Sequence, residues 1–147
     1  MLALWRHRIA PLMDELRDTV ANYLLKHQVC VLSTSGTAGA WAMPTWYRSR
    51  GLEVECLVPR WADVAYYLEQ NPEVLLVIHD PQAASLRWLQ YRGVARLIDS
   101  PDWSSLLPER MSIVRPEERY VTFRIKPERI DLIDESRGWG ARETLDF

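Results

Sequence analysis

One alternating stretch, residues 85–98, carries side chains that could bind a ligand. Successive side chains of a strand point to opposite sides, so every second residue shares a face. One face carries Leu86, Trp88, Gln90 and Arg92, and the other carries Leu89, Tyr91, Gly93, Ala95 and Leu97. The first face combines an aromatic ring, an amide and a guanidinium. It suits a planar polar ligand or a subunit interface, with an ordinary solvated strand face as the alternative.

A second group of candidate residues surrounds Pro44. Proline cannot donate a hydrogen bond to a sheet, so the chain there must form an edge, a bulge or an opening. Thr45, Trp46 and Tyr47 follow at once and supply a hydroxyl group and two rings. An opening in a sheet is a place where a ligand can enter, whereas core packing is the alternative for Trp46.

A third candidate is Arg60, which lies between a predicted strand and a predicted helix. The N–H groups at the start of a helix favour anions, so a phosphate could dock beside this arginine. A solvated arginine on a loop is the alternative.

Hydrophobic periodicity predicts the elements that must position these residues. Leu12, Leu16, Val20 and Leu24 recur every fourth residue, which predicts a helix over about 11–26. A three-stranded meander follows over 29–34, 41–48 and 52–58, then a crossover helix over 61–69. Residues 74–78 form a continuous apolar run, which predicts a central strand with little solvent on either face. Further predictions are a long strand over 85–98, a short helix and loop over 101–116, and strands over 120–125 and 130–134, separated by an interruption at 126–128.

Composition restricts the class of protein. The chain has 147 residues, of which 48% are hydrophobic, and this favours a single domain over 1–147. A net charge of -2 with interspersed acids and bases argues against nucleic acid and anionic membranes as partners. No apolar run is long enough to span a bilayer, and we expect a cytoplasmic protein. Cys30 and Cys56 lie in apolar runs and are expected to be reduced core residues. No metal-site spacing or serine-hydrolase motif occurs.

The ordered series of motifs resembles the pyridoxamine 5'-phosphate oxidase-like FMN-binding split-barrel family over residues 16–133. The resemblance rests on Val31-Leu-Ser-Thr34, Pro44-Thr-Trp-Tyr47, Leu68-Glu-Gln-Asn-Pro72, Arg87-Trp-Leu-Gln-Tyr-Arg-Gly93 and Lys126-Pro-Glu-Arg-Ile130. It implies a mainly β fold: a six-stranded antiparallel split barrel of Greek-key type with an N-terminal helix and a crossover helix. It also implies a homodimer, with FMN held between the two subunits and 1–10 and 136–147 as flexible or dimer-contacting tails.

The resemblance assigns roles to individual residues. Thr45, Trp46 and Tyr47 would lie beside the flavin ring, Val58 and Arg60 toward the phosphate, and Trp88 and Gln90 would approach from the long strand. Trp139 and Arg142 are candidates from the C-terminal tail. One position departs from the family pattern, because Val64 stands where a phosphate-binding lysine is common.

The resemblance implies an oxidoreductase of the flavin reductase or oxidase type, acting on a small flat substrate or electron acceptor. The flavin would supply the redox chemistry, so no dedicated catalytic side chain is identified. Two alternatives stay open. The barrel could bind another cofactor, such as F420 or haem with His7, His27 or His79 as a ligand, or it could be a non-enzymatic flavin-binding or stress-response dimer.

Overall fold

The structure is a computed structural model that describes residues 2–36, 39–108 and 111–147, with side chains from residue 12 onward. Its strands are β1 (Val29–Gly36), β2 (Gly39–Arg50), β3 (Glu53–Pro59), β4 (Glu73–His79), β5 (Arg87–Leu97), β6 (Tyr120–Asp134) and β7 (Arg142–Asp146). Its helices are α1 (Leu2–Lys26), α2 (Asp63–Gln70), α3 (Trp103–Leu106) and α4 (Pro116–Arg119), with a short 3₁₀ turn over Glu135–Arg137.

The strands form an antiparallel sheet in the order β3-β2-β1-β4-β5-β6-β7. β3 also pairs with β6, so the first six strands close into a barrel and β7 extends the sheet beyond β6. Closure leaves fewer strand edges unpaired. The predicted six-stranded antiparallel barrel is confirmed, and residues 142–146, which the sequence analysis placed in a tail, form β7.

The core fills the barrel and continues under α1. Val20, Tyr23 and Leu24 of α1 are buried against inward side chains of the strands. The helix begins at Leu2, nine residues earlier than predicted, and Pro11 lies within it. Proline removes one helical hydrogen bond, but its φ angle is compatible with a helix, so it does not by itself end one.

β4 departs from the prediction of two buried faces. Val74, Leu76 and Ile78 are buried, whereas Leu75 and Val77 on the opposite face are only partly covered. The strand is central, between β1 and β5, but no element in the described part of the chain lies over its outward face. The prediction of a central strand is confirmed, whereas the outward face is more open to solvent than the inward one.

The predicted interruption at 126–128 is a β-bulge inside one continuous strand. Gly93 pairs with Pro127 while Arg92 pairs with Arg129, which leaves Glu128 without a partner on β5. A bulge tolerates the missing N–H of Pro127. Gly93 is required at this point, since a Cβ atom there would lie 2.4 Å from the carbonyl oxygen of Lys126.

Two further observations bear on earlier expectations. Cys30 and Cys56 are free and buried, with their Sγ atoms 3.9 Å apart, as expected for reduced core residues. Among the helices in the described ranges, none has both the length and the apolar character needed to cross a membrane.

Candidate functional site

The barrel opens where β2 and β3 separate. β2 pairs with β3 only from Trp46, which faces Leu57, to Arg50. Beyond Leu57, β3 pairs with β6 alone, while the first half of β2 pairs only with β1. Pro44 lies in that first half, so its missing N–H falls beside the opening, as the sequence predicted.

A small cavity occupies this opening, and we call it the split cleft. Its volume is about 340 Å³, within the range of roughly 300–1,000 Å³ that is usual for small-molecule sites. Its wall is mostly apolar and aromatic, and includes Pro44, Trp46, Leu57, Pro59, Trp61 and Tyr120. Trp61 is 81% exposed, so much of its ring area is available to a ligand.

Three of the predicted contact residues have side chains that are buried and engaged within the chain. The Thr45 hydroxyl is 3.3 Å from Cys30 Sγ, and the Tyr47 hydroxyl donates to the Leu24 carbonyl oxygen at 2.7 Å. Val58 is fully buried in the core. Burial raises the pKa of Tyr47, so its hydroxyl remains a donor. Thr45 is buried at the wall of the split cleft, whereas Tyr47 and Val58 do not line it. Trp46, between Thr45 and Tyr47, lies on the opposite, outward face of β2 and lines the cleft as well.

Arg60 lies beside a second cavity, which we call the acidic cavity. Its backbone N–H donates to the Arg119 carbonyl oxygen at 2.8 Å, and its Nε–H donates to the Glu117 carbonyl oxygen at 2.9 Å. The acidic cavity has a volume of about 360 Å³ and is also lined by Glu69 and Asp99. Tyr120 lines both cavities, so they are neighbours.

Val64, at the position of the expected lysine, has apolar surroundings in the structure. Val64 is 3% exposed and packs in the hydrophobic core from the first turn of α2. Ala62 precedes that helix and offers no side-chain cap, and Asp63 is its first residue. The start of α2 therefore has a buried valine at the lysine position and a carboxylate, Asp63, directly before it.

Trp88 and Gln90 lie on the outward face of the sheet, away from the split cleft. Trp88 pairs with His79 and Ile133, and Gln90 pairs with Val77 and Asp131. Three strand spacings separate β5 from β2, or about 14 Å. Within one chain these residues and Trp46 share a sheet face, but they do not share a cavity.

The two C-terminal candidates lie at the β6–β7 connection. Arg142 pairs with Ile133, on the same row as Trp88. Trp139 is 98% exposed on a turn whose glycines, Gly138 and Gly140, have positive φ. Hydrogen bonds from Gly138 N to Glu135 O and from Ala141 N to Gly138 O order this turn. The indole ring of Trp139 is therefore exposed to solvent on a hydrogen-bonded turn.

A charged network that has no signal in the local sequence lies at one end of the barrel. His27 Nδ1 is 2.8 Å from the Tyr23 carbonyl oxygen, and its Nε2 is 3.7 Å from Asp80 Oδ1. Arg87 bridges Asp80 at 3.2 Å and Asp134 at 3.4 Å, and lies over the Tyr23 ring. Burial alone would raise the pKa of Asp80, but the Gln82 N–H, Arg87 and His27 hold it below its usual value.

This network borders the end cavity, of about 770 Å³, which His79 and Trp46 also line. The two partners of the His27–Asp80 pair are 53 positions apart in the sequence, so no local sequence motif predicts their contact. In the described parts of the chain, no group of three or more histidine, cysteine, aspartate or glutamate residues is arranged to hold a metal ion.

Comparison with known proteins supports the fold. No family model matches the sequence, and no curated protein matches it significantly. The structure is similar to general stress protein 26 from Bacillus anthracis str. Sterne, with a TM-score of 0.70, 20% identity, and coverage of 90% of this chain and 98% of that one. It is also similar to a protein from Clostridium acetobutylicum that is related to general stress protein 26 and is described as of the pyridoxinephosphate oxidase family. There the TM-score is 0.72 and the identity 12%, with 90% and 95% of the chains covered.

A third similar structure is a heme binding protein from Mycobacterium smegmatis. Its TM-score is 0.63 and its identity 18%, over 84% of this chain and 55% of that one. Together these likenesses establish the fold as that of the pyridoxamine 5'-phosphate oxidase-like split barrels. Structures with this fold thus include both stress-protein relatives and a haem binder.

Proposed function

We propose that this protein is a cytoplasmic, homodimeric flavoprotein that binds FMN and acts as an oxidoreductase of the flavin reductase or oxidase type. The observation that carries the proposal is the split cleft, an aromatic and apolar groove at the point where β2 and β3 part. A flat, largely apolar ring system suits such a groove. The flavin ring therefore fits the residues present, whereas its phosphate meets the less favourable surroundings of Arg60.

Two exposed features support a dimer. Val31 and Val77 are paired on the outward sheet face, where Val31 is 39% exposed. An apolar sheet face of this kind is typical of a surface that a partner covers. The exposed Trp139 is a second such feature. In the proposed dimer, Trp139 and Arg142 of one subunit close the cleft of the other.

The flavin would supply hydride and electron chemistry, and the protein would supply position and exclusion of water. Trp46, Trp61 and Pro44 provide rigid walls against which a ring can stack. The Tyr47 hydroxyl stabilises the cleft from behind by fixing β2 to α1 at the Leu24 carbonyl oxygen. The chain's task is thus to hold a flat reactive group at an interface and to leave one side open for a small substrate.

A paired substitution tests the site. Trp61→Ala removes an exposed ring of the split cleft, and Tyr66→Ala removes an exposed ring of α2 that does not line it. After reconstitution with FMN and removal of the excess, we expect the wild type to retain a flavin absorption band at about one flavin per subunit. Loss of one stacking contact should weaken FMN binding roughly fivefold or more in Trp61→Ala and leave Tyr66→Ala unchanged.

Two outcomes would count against the proposal. A dimer that retains no flavin would reject flavin binding, and equal effects of the two substitutions would reject the split cleft as the site. Stoichiometric flavin that nicotinamide donors reduce only very slowly would support the non-enzymatic alternative instead.

Haem is a second candidate, and the end cavity is the observation in its favour. That cavity is larger than the split cleft, and His27, His79, Tyr23 and Trp46 line it. His27 is engaged at both ring nitrogens, so the exposed His79 is the better placed of the two histidines that line the cavity. The side chain of His7, the third candidate ligand, lies outside the part of the chain whose side chains are described. Hemin titration should then give a Soret band that is shifted and sharpened relative to free hemin, and His79→Ala should abolish that shift. An unchanged shift in the variant would reject this site.

A further inference from the structure

The surroundings of Arg60 differ in charge from a phosphate-binding site. The described residues that line the acidic cavity include one cation, Arg60, and three carboxylates, Glu69, Asp99 and Glu117. A site that holds a phosphate normally concentrates cations and N–H donors around it. Here the carboxylates outnumber the only cation of the lining.

Arg60 is also partly committed within the chain. Its Nε–H is used by the Glu117 carbonyl oxygen, so the guanidinium cannot offer the Nε side of its donor pattern to a bidentate anion without breaking that bond. The side chain is exposed, as are those of Glu69, Asp99 and Glu117, so water screens the attraction by Arg60 as well as the repulsion by the carboxylates. Its capacity to hold a phosphate is therefore lower than that of a free, enclosed arginine.

The N-terminal end of α2 does not compensate. Val64 is buried where the family pattern has a lysine, and substituting a charge there would place it in the core. Asp63 already occupies the first turn, where a negative charge interacts favourably with the helix dipole. A dianionic phosphate nearby would meet the like charge of that carboxylate.

We propose that this protein recognises a flavin through its ring system and gains little from the phosphate, so that riboflavin and FMN bind with similar affinity. This inference rests on the proposed flavin site in the split cleft. Specificity then lies with the aromatic wall formed by Trp46, Trp61 and Tyr120 and not with Arg60.

Parallel titrations of the purified full-length protein with FMN and with riboflavin, followed by quenching of flavin fluorescence, test the inference. A phosphate held by charge-assisted hydrogen bonds would make FMN bind more than about tenfold tighter than riboflavin. We expect a ratio below that threshold. We also expect FMN affinity to hold or rise between about 0.05 and 0.5 M salt, because screening weakens repulsion by the carboxylates.

A triple substitution tests whether the carboxylates of the acidic cavity weaken FMN binding. Glu69→Gln, Asp99→Asn and Glu117→Gln together remove the carboxylates of the acidic cavity without changing side-chain shape. FMN affinity should rise by about threefold or more and riboflavin affinity should not change. The control carries Asp14→Asn, Glu15→Gln and Asp18→Asn, three exposed acids of α1, and has the same net charge. It should leave both affinities unchanged.

The titrations distinguish failure of this inference from failure of the proposed flavin site. If FMN binds more than about tenfold tighter than riboflavin, ring-based recognition is overturned while the flavin site stands. An equal gain of FMN affinity in both triple variants would overturn the local role of the acidic cavity. If the protein binds neither flavin, the proposed function fails and this inference fails with it.

Discussion

The inward and outward faces of β4 use similar residues in different surroundings. Leu76 and Ile78 point inward and are fully buried, whereas their neighbours Leu75 and Val77 point outward and are only partly covered. Alternation along a strand places these side chains on opposite faces with no change of residue type. The difference shows that this sheet has a core on one side and a partly exposed apolar strip on the other. We propose that a second subunit covers that strip.

The largest expected effect comes from truncating the inward face. Leu76→Ala should lower the free energy of unfolding by about 2–5 kcal/mol, since it removes buried methyl groups and leaves a cavity. Leu75→Ala, one residue away, should cost the isolated chain about 1 kcal/mol or less, because its side chain is already partly in water. Denaturant unfolding at a protein concentration too low for dimers measures both.

Leu75 and Leu76 make a matched pair, with the same residue type, strand and substitution. Equal losses of stability at low concentration would mean that the outward face is packed within one chain. A loss in Leu75→Ala that grows with protein concentration would instead identify that face as an interface, because association couples to folding by mass action.

The next largest expected effect is on dimer formation. Val77→Lys places a charge at the centre of the outward face, between Val31 and Gln90. Burying an unpaired charge is costly, so the dimer dissociation constant should rise by about tenfold or more. Light scattering across a dilution series measures this, and Leu97→Lys serves as a control at the exposed end of β5. A dimer that tolerates Val77→Lys would place the interface elsewhere.

Much of the fold was predictable from the sequence because its signals are local. Hydrophobic alternation located the strands, and Pro44 marked the opening between β2 and β3. The bulge was not predictable, since Lys126-Pro-Glu128 reads equally well as a turn. It becomes a bulge only because Gly93 on the neighbouring strand allows close backbone approach. That information lies 34 positions away in the chain.

The candidate site was less predictable. Thr45, Trp46 and Tyr47 were grouped as ring contacts, although alternation allows the side chains of at most two of three consecutive strand residues to share a face. The sequence does not tell which face is inward, and the structure places only Trp46 outward. The pairing of Asp80 with His27 and Arg87 required the tertiary fold, as did the three acids around Arg60, which come from α2, the β5–α3 connection and α4.

The smallest expected effect on stability comes from the ends of β4 and β5, where ion pairs connect the strands. Asp80 follows β4 and Arg87 begins β5, and Arg87 also pairs with Asp134 at the end of β6. The Ser136 hydroxyl and N–H, with Arg87, hold the pKa of Asp134 below its usual value, although burial opposes this. The pKa of Asp80 is lowered as well. Arg87→Met should therefore lower stability at neutral pH by about 1 kcal/mol or less.

The sign of the pH dependence follows from the direction of these shifts. A carboxylate whose folded pKa is depressed contributes stability above its unfolded pKa of about 4, and this is lost as the pH falls through the folded pKa. The gap in melting temperature between wild type and Arg87→Met should thus be constant near neutral pH and close below about pH 4. Arg92→Met, an exposed arginine of the same strand, should show no such convergence. A gap in melting temperature that persists at low pH would mean that Arg87 acts through its contact with the Tyr23 ring. The ends of these strands would then be stabilised by packing, like the inward face of β4.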